Sequence, residues 1–445
     1  MIVLIRRTVR DGRGRLSAIV SAALGLNEEW QDMDGLSRRN ALKAGGVLGA
    51  FGALAVATPA RAEPWSWSPE GSVAGSGEGA DPLTVWDPEA DQLVAGLLDR
   101  GEVPRVNELL RTWTRNGQPL PDGLPSDLRD FMEYARRLPQ WADQGKLATA
   151  VEFNKKRGLY LGVLYGLASG MMSTVIPKEA RAVYYSKGGH DLKDRILKTA
   201  KLGYDIGTAN AYGPGGEMVV TCLKTRLVHA AVRHLLPQSP HWVQTAEEEI
   251  PISQNDMMVT WHSLPTTVMK HLTAWRVPIP PAESEAFLHS WQVCAHMLGI
   301  RDEYIPNSWD QANLQAAQVL DPILAPTPEG AKLADRLLRL GVNLDFAVLT
   351  KPVLGSFTRF MLGDKIADGL AIPREPIWDP LLRVSWGPFI AVREGLLPVV
   401  PLAPDAYWLF DEFLRQAALI YLAELRMPIS IELPVMNRDM SKPPR

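Results

Sequence analysis

The chain has 445 residues, 46% hydrophobic and 22% charged, with a formal charge of -3 at neutral pH. These proportions suit a globular protein with a large core, and the charge argues against a nucleic-acid partner. Its two cysteines, Cys222 and Cys294, form neither CxxC nor CxxCH, so a zinc ribbon, an iron–sulfur cluster and a covalently attached c-type haem lack support. Two buried thiols are the simpler reading of the pair, and a single disulfide is the other.

From the N-terminus, the first informative segment is Ser37-Arg38-Arg39-Asn40-Ala41-Leu42-Lys43. Two arginines precede a mildly apolar stretch, Ala44 to Ala57, and then Ala60-Arg61-Ala62, an A-x-A cleavage pattern. The stretch is short for a bilayer span. Together these features predict a twin-arginine export signal over 1–62, read by the twin-arginine translocase, with an extracellular or periplasmic destination. Met1 or Met33 is the start; an uncleaved N-terminal anchor is the alternative. Residues 63–86, with Trp65, Trp67 and several Gly and Ser, read as a flexible arm.

A helical domain is expected over 87–445. Asp87-Pro88-Glu89 supplies an N-cap, a proline at the first position and a first-turn acid. Helical spacing of apolar residues follows near 105–115, 126–137, 145–175, 178–186, 191–203, 216–236, 242–271, 282–298, 329–341 and 405–427. Alternating strand patterns are scarce, so the fold class is all-α, as one large domain. From Gly158 to Pro177 no charge occurs, and Gly158, Gly162, Gly166 and Gly170 recur every four residues. A buried central helix fits this best. It also permits a flat ligand against the backbone, or, less well, a membrane span.

Eight histidines (190, 229, 234, 241, 262, 271, 289 and 296) form no HExxH, and GxSxG, P-loop and post-strand GxGxxG patterns are missing. What remains is polar residues set into apolar helices. Arg226, His229 and Arg233 share a face at i, i+3 and i+7. Two guanidinium groups disfavour a protonated imidazole, and a neutral imidazole is what an iron ligand requires. A solvated basic face with an incidental histidine is the bland alternative. Arg195, Lys198 and Thr199 share a face of the preceding helix, where a lysine-rich surface explains them equally well. Glu179 sits in a first turn, favourable to the dipole. Thr260 and His262 stand two apart and so do not share a face.

Taken in order, Glu179, Arg195-x-x-Lys198-Thr199, Arg226-x-x-His229-x-x-x-Arg233, Thr260-x-His262 and Arg359 resemble the latex clearing proteins, rubber oxygenases of the wider mpaB-type family. The resemblance spans roughly residues 87–420 and includes the export signal. It implies an all-α fold with a globin-like core and one non-covalent b-type haem. His229 would be the proximal iron ligand and Lys198 the distal ligand of a closed state. Arg195 and Thr199 would flank Lys198, and Glu179 would be a distal acid–base group. Arg226, Arg233, Thr260, His262 and Arg359 would line or support the haem pocket. The implied reaction is cleavage of poly(cis-1,4-isoprene) by dioxygen, leaving aldehyde and ketone ends, with no stable protein partner. Two further readings stay open: a haem oxygenase acting on a smaller prenyl or terpenoid substrate, and a secreted haem- or lipid-binding protein without catalysis.

Overall fold

A computed structural model describes residues 64–186, 191–246, 248–342, 350–396, 409, 411, 423 and 429–439. The expected export signal, His190 and nearly all of the expected 405–427 helix lie outside these residues.

The described residues fold as helices in chain order: α1 (Pro88–Asp99), α2 (Val103–Leu110), α3 (Ser126–Ala135), α4 (Gln144–Val163), α5 (Pro177–Tyr185), α6 (Leu192–Asp205), α7 (Met218–Leu235) and α8 (Pro240–Thr245). Next come α9 (Gln254–Trp261), α10 (Thr267–Ala274), α11 (Pro281–Met297), α12 (Trp309–Val319), α13 (Pro328–Val342), α14 (Lys351–Leu362), α15 (Asp364–Gly369) and α16 (Trp378–Leu396). Among the described residues no strand forms; a lone bridge pairs Ser72 with Pro306. The all-α expectation holds.

Several boundaries follow local chemistry. Asp87 caps α1 by accepting from the Ala90 amide, and Pro88 needs no donor at that position. Asp191 caps α6 in the same way. Ser253 and Asp256 form a reciprocal capping box that starts α9.

That restart splits the helix expected over 242–271. α8 ends at Thr245, Pro251 cannot donate a hydrogen bond, and Ile252 adopts a φ of 58°. The helix expected over 145–175 is also not uniform. It widens to π geometry at Leu164–Ser169, makes a short α turn and ends as a 3-10 turn at Ser173–Val175. A second π segment, His262–Thr266, joins α9 to α10 where Pro265 interrupts the donor ladder. Helices α12, α14 and α16 escaped the sequence reading. α12 is rich in Gln and Asn, while α16 carries Pro380 and Pro388 and is apolar nearly all round, so neither shows a clean stripe.

The core lies between α4 and α11, which pack along one another, and between α1 and α7. Ala90, Val94 and Leu97 of α1 share one apolar cluster with Leu223, Leu227 and Ala230 of α7 and Phe153, Tyr160 and Leu161 of α4. Gln144–Val175 is long and apolar enough to cross a membrane by composition, but just over half of its apolar window is buried inside the protein, as a central helix requires. Cys222 and Cys294 are free and buried.

The segment expected as a loose arm is seated instead. Trp67 is buried and donates to Gln311 (3.1 Å), Trp65 packs edge-on to Tyr304, and the Val73 amide bonds Ile305. Its indole rings supply the anchoring area that a count of Gly and Ser overlooks.

Candidate active site

α7 carries the centre of the site. Its Arg226, His229 and Arg233 share a face, as the spacing predicts, but the arginines turn toward α1. Arg226 clamps Asp87 through Nε at 2.6 Å and Nη2 at 2.8 Å. Arg233 donates to Asp91 at 2.6 Å and to the Ile252 carbonyl at 3.1 Å. Asp87, the cap of α1, and Asp91 are one turn apart, so two partly buried ion pairs run as rungs between the helices. The hydrogen bonds of Arg226 and Arg233 thus hold helix to helix, a supporting place on either side of His229. Asp87 reads in the sequence only as the helix cap, and nothing local marks Asp91 as a partner.

His229 lies between these rungs. Its Nδ1 is buried and has no hydrogen-bond partner. Burial first, then the charges of Arg233 and Arg195, push its pKa down to about 3, so the ring is neutral near pH 7. An unpartnered buried nitrogen is costly, and such groups mark sites that something else completes.

α6 and α5 supply the facing groups. Glu179, at the start of α5, accepts a hydrogen bond from Thr260 Oγ1 at 3.3 Å. Desolvation raises its pKa to about 7, against the pull of Arg195 and Thr260. Burial lowers the pKa of Arg195 while Glu179 beside it opposes the shift. Arg195 thus acts on Glu179 and His229 alike, and these four residues, from α5, α6, α7 and α9, belong to one electrostatic neighbourhood. Thr260, which no α-helical face joins to His262, enters by way of Glu179.

The remaining expected residues divide. Lys198 is held by Asp194 one turn earlier, Nζ to Oδ2 at 2.6 Å. Thr199 is exposed, its hydroxyl on the Arg195 carbonyl at 3.2 Å. His262 begins the π segment His262–Thr266. It is wholly buried, with Nδ1 on Thr266 Oγ1 and Nε2 on Gln315 Oε1, both at 2.8 Å, so both nitrogens are spent on packing the π segment. Arg359 is buried too, and it ties the following loop together. It donates to Asp368 at 2.7 Å, to Asp364 at 3.1 Å and to the Ile372 carbonyl at 2.6 Å. These bonds give His262 and Arg359 structural partners.

His229 fits an iron ligand of a haem: its imidazole is neutral, and its buried Nδ1 has no hydrogen-bond partner. Gly162 and Gly166 are exposed, with nothing within 4 Å of where a Cβ would stand.

Comparison with known proteins gives the family. Residues 156–392 match the family described as ER-bound oxygenase mpaB/B'/Rubber oxygenase, catalytic domain. The chain is 57% identical over 408 residues to a protein named rubber oxygenase from Streptomyces sp. (strain K30), covering 91% of this chain and all of that one. It is also similar to the solved structure of latex clearing protein LCP in the closed state. There the TM-score is 0.75 at 56% identity, over 83% of this chain and 99% of that one.

Proposed function

Because this chain belongs to the family of mpaB/B' and rubber oxygenase catalytic domains, we propose that it is an exported, haem-dependent oxygenase cleaving poly(cis-1,4-isoprene). Each cleaved C=C takes up one dioxygen and leaves one aldehyde and one ketone. The observation that carries the reading is His229, neutral and with a buried nitrogen unpaired, in the same neighbourhood as a carboxyl group poised near neutrality.

His229 would hold the iron of a non-covalent b-type haem, and Lys198 is the second candidate ligand once it leaves Asp194. Bound there, the haem supplies the activation of dioxygen. Glu179 as a carboxylate takes an allylic proton from the polymer and returns it to the same carbon as the two carbonyl ends form, and a pKa of about 7 suits an acid–base group working near that pH. The Thr260 hydroxyl, at 3.3 Å, fixes the carboxylate in place, and Arg195 balances its charge. A hydrocarbon offers no hydrogen bonds, so its binding rests on apolar burial, at about 25 cal/mol per Å². A polymer particle cannot enter a cell, which agrees with the twin-arginine segment Ser37 to Lys43. Export in a folded state would also carry a haem held by coordination and packing alone.

The purified protein should show a Soret band that His229→Ala lacks, and should consume oxygen with latex. A Soret band of undiminished strength in His229→Ala would remove the ligand assignment. Cleavage confined to short terpenoids would favour the smaller-substrate reading.

A further inference from the structure

Three cations gather around Tyr184, at the end of α5. The Arg438 guanidinium lies over its ring at 4.7 Å from the centroid, and the Lys332 ammonium of α13 at 5.4 Å. Arg336 stands one turn after Lys332 on α13, and so on the same side of that helix. Arg438 is also tied down by the backbone of α5. Its amide bonds the Tyr185 carbonyl at 3.3 Å, and its Nη1 donates to the Tyr184 carbonyl at 3.0 Å.

Among the described residues none of these three cations forms an ion pair. The carboxylates of α13 are engaged elsewhere. Asp335 accepts from Arg339 at 2.8 Å and from Lys351 at 2.6 Å, and Glu329 from the Tyr185 hydroxyl at 3.2 Å. Two donors are left over: Arg336 Nη1 and Arg438 Nε are buried and have no hydrogen-bond partner, and Arg438 as a whole is only 8% exposed. Burial first, then the charge of Arg438, lowers the pKa of Arg336, so the two guanidinium groups repel one another. The π face of Tyr184 attracts the cations without neutralising them. Like charges held together with buried donors unspent oppose folding. The other buried arginines of the chain are answered by carboxylates, Arg226 by Asp87 and Arg359 by Asp364 and Asp368.

We infer that Arg336 and Arg438, with the exposed Lys332 at the rim, form a binding site for a small oxyanion, a carboxylate or a phosphate. Guanidinium N–H groups meet such anions in parallel pairs, and an ammonium adds charge without a fixed direction. Two sources share this chemistry: a free anion from the medium, and a propionate of the haem proposed above. Only the second rests on that proposal.

The test uses the holoprotein, purified without phosphate and kept at fixed ionic strength, with the variants Arg336→Gln and Arg336→Lys. Inorganic phosphate is titrated by calorimetry, thermal midpoints are followed in parallel, and haem transfer to apomyoglobin is timed by the Soret band. A free-anion site raises the wild-type midpoint by about 2 °C at about ten times the dissociation constant. Phosphate then binds Arg336→Gln about tenfold more weakly or worse and Arg336→Lys to an intermediate degree, with equal haem transfer in all three. A propionate site gives no phosphate binding to wild type, and haem transfer about tenfold faster from Arg336→Gln, with Arg336→Lys in between. Phosphate binding of equal strength in wild type and Arg336→Gln, with equal haem transfer, overturns the inference and leaves an adventitious ion only. Equal haem transfer without any phosphate binding overturns it too. Should Arg336→Gln fail to fold, wild type against Arg336→Lys decides among the same outcomes. Phosphate bound through Arg336 by a protein that shows no Soret band would overturn the haem reading and leave the anion site standing.

Discussion

Glu179 and His229 illustrate how one environment drives two groups in opposite directions. Burial opposes charge on both, so the carboxyl pKa rises to about 7 and the imidazole pKa falls to about 3. The result is a neutral imidazole beside a carboxyl group half-ionised at neutral pH. If Glu179 acts as base, turnover needs its carboxylate form, so the rate should climb as pH rises through about 7 and level off above it. Glu179→Gln should lower the rate about 100-fold or more and abolish that limb, at unchanged haem absorbance. A variant that keeps the limb would assign the ionisation elsewhere.

At the scale of elements, the α1–α7 rungs hold His229 in position. Arg226 is paired bidentately with Asp87, which is also the cap of α1 and is 4% exposed. Removing the guanidinium leaves a buried carboxylate without its counter-charge. Arg226→Ala should therefore cost about 3–5 kcal/mol in urea unfolding. Arg226→Lys should recover only part of this, since a single ammonium cannot reproduce the fork. A loss within experimental error in Arg226→Ala would show that the rung carries no stability. The same geometry explains why a face of two arginines and a histidine did not declare its purpose in the sequence. Spacing put the three residues on one side of α7, but only the packing of α1 against that side revealed the partners.

Across the whole molecule, buried histidines couple stability to pH. His262 is fully buried and its pKa is pushed down to about 3, below the usual 6.5, mainly by burial. A folded-state pKa lowered in this way means the folded protein binds fewer protons than the unfolded chain. Stability is then fully present above about 6.5 and is lost as pH falls toward 3. Relative to a His262→Gln variant, the wild type should lose about 2 kcal/mol of stability between pH 6.5 and 5. Urea midpoints at the two pH values measure it, and a constant difference would exclude protonation of His262 as the cause. Glu179, whose pKa is raised, shifts stability the opposite way with pH, which is why the comparison is made between variants.

Much of this protein was decided by local sequence. Asp87-Pro88, Asp191 and Ser253 set helix starts because a cap needs only its own turn, and the spacing of Arg226, His229 and Arg233 needs only one helix. The ordered set from Glu179 to Arg359 pointed to the family because it samples several helices at once. Tertiary structure decided the rest. Whether a polar group in an apolar helix is satisfied depends on partners distant in sequence. Gln315 turns His262 into a packed core residue, and Asp364 and Asp368 make Arg359 a loop anchor. His229 has a buried Nδ1 that no such partner meets. Helix α16 shows the limit from the other side. A sequence apolar on every face does not say which face is the core, and only the packing of Trp386 inward leaves Leu381, Val384 and Val392 outside.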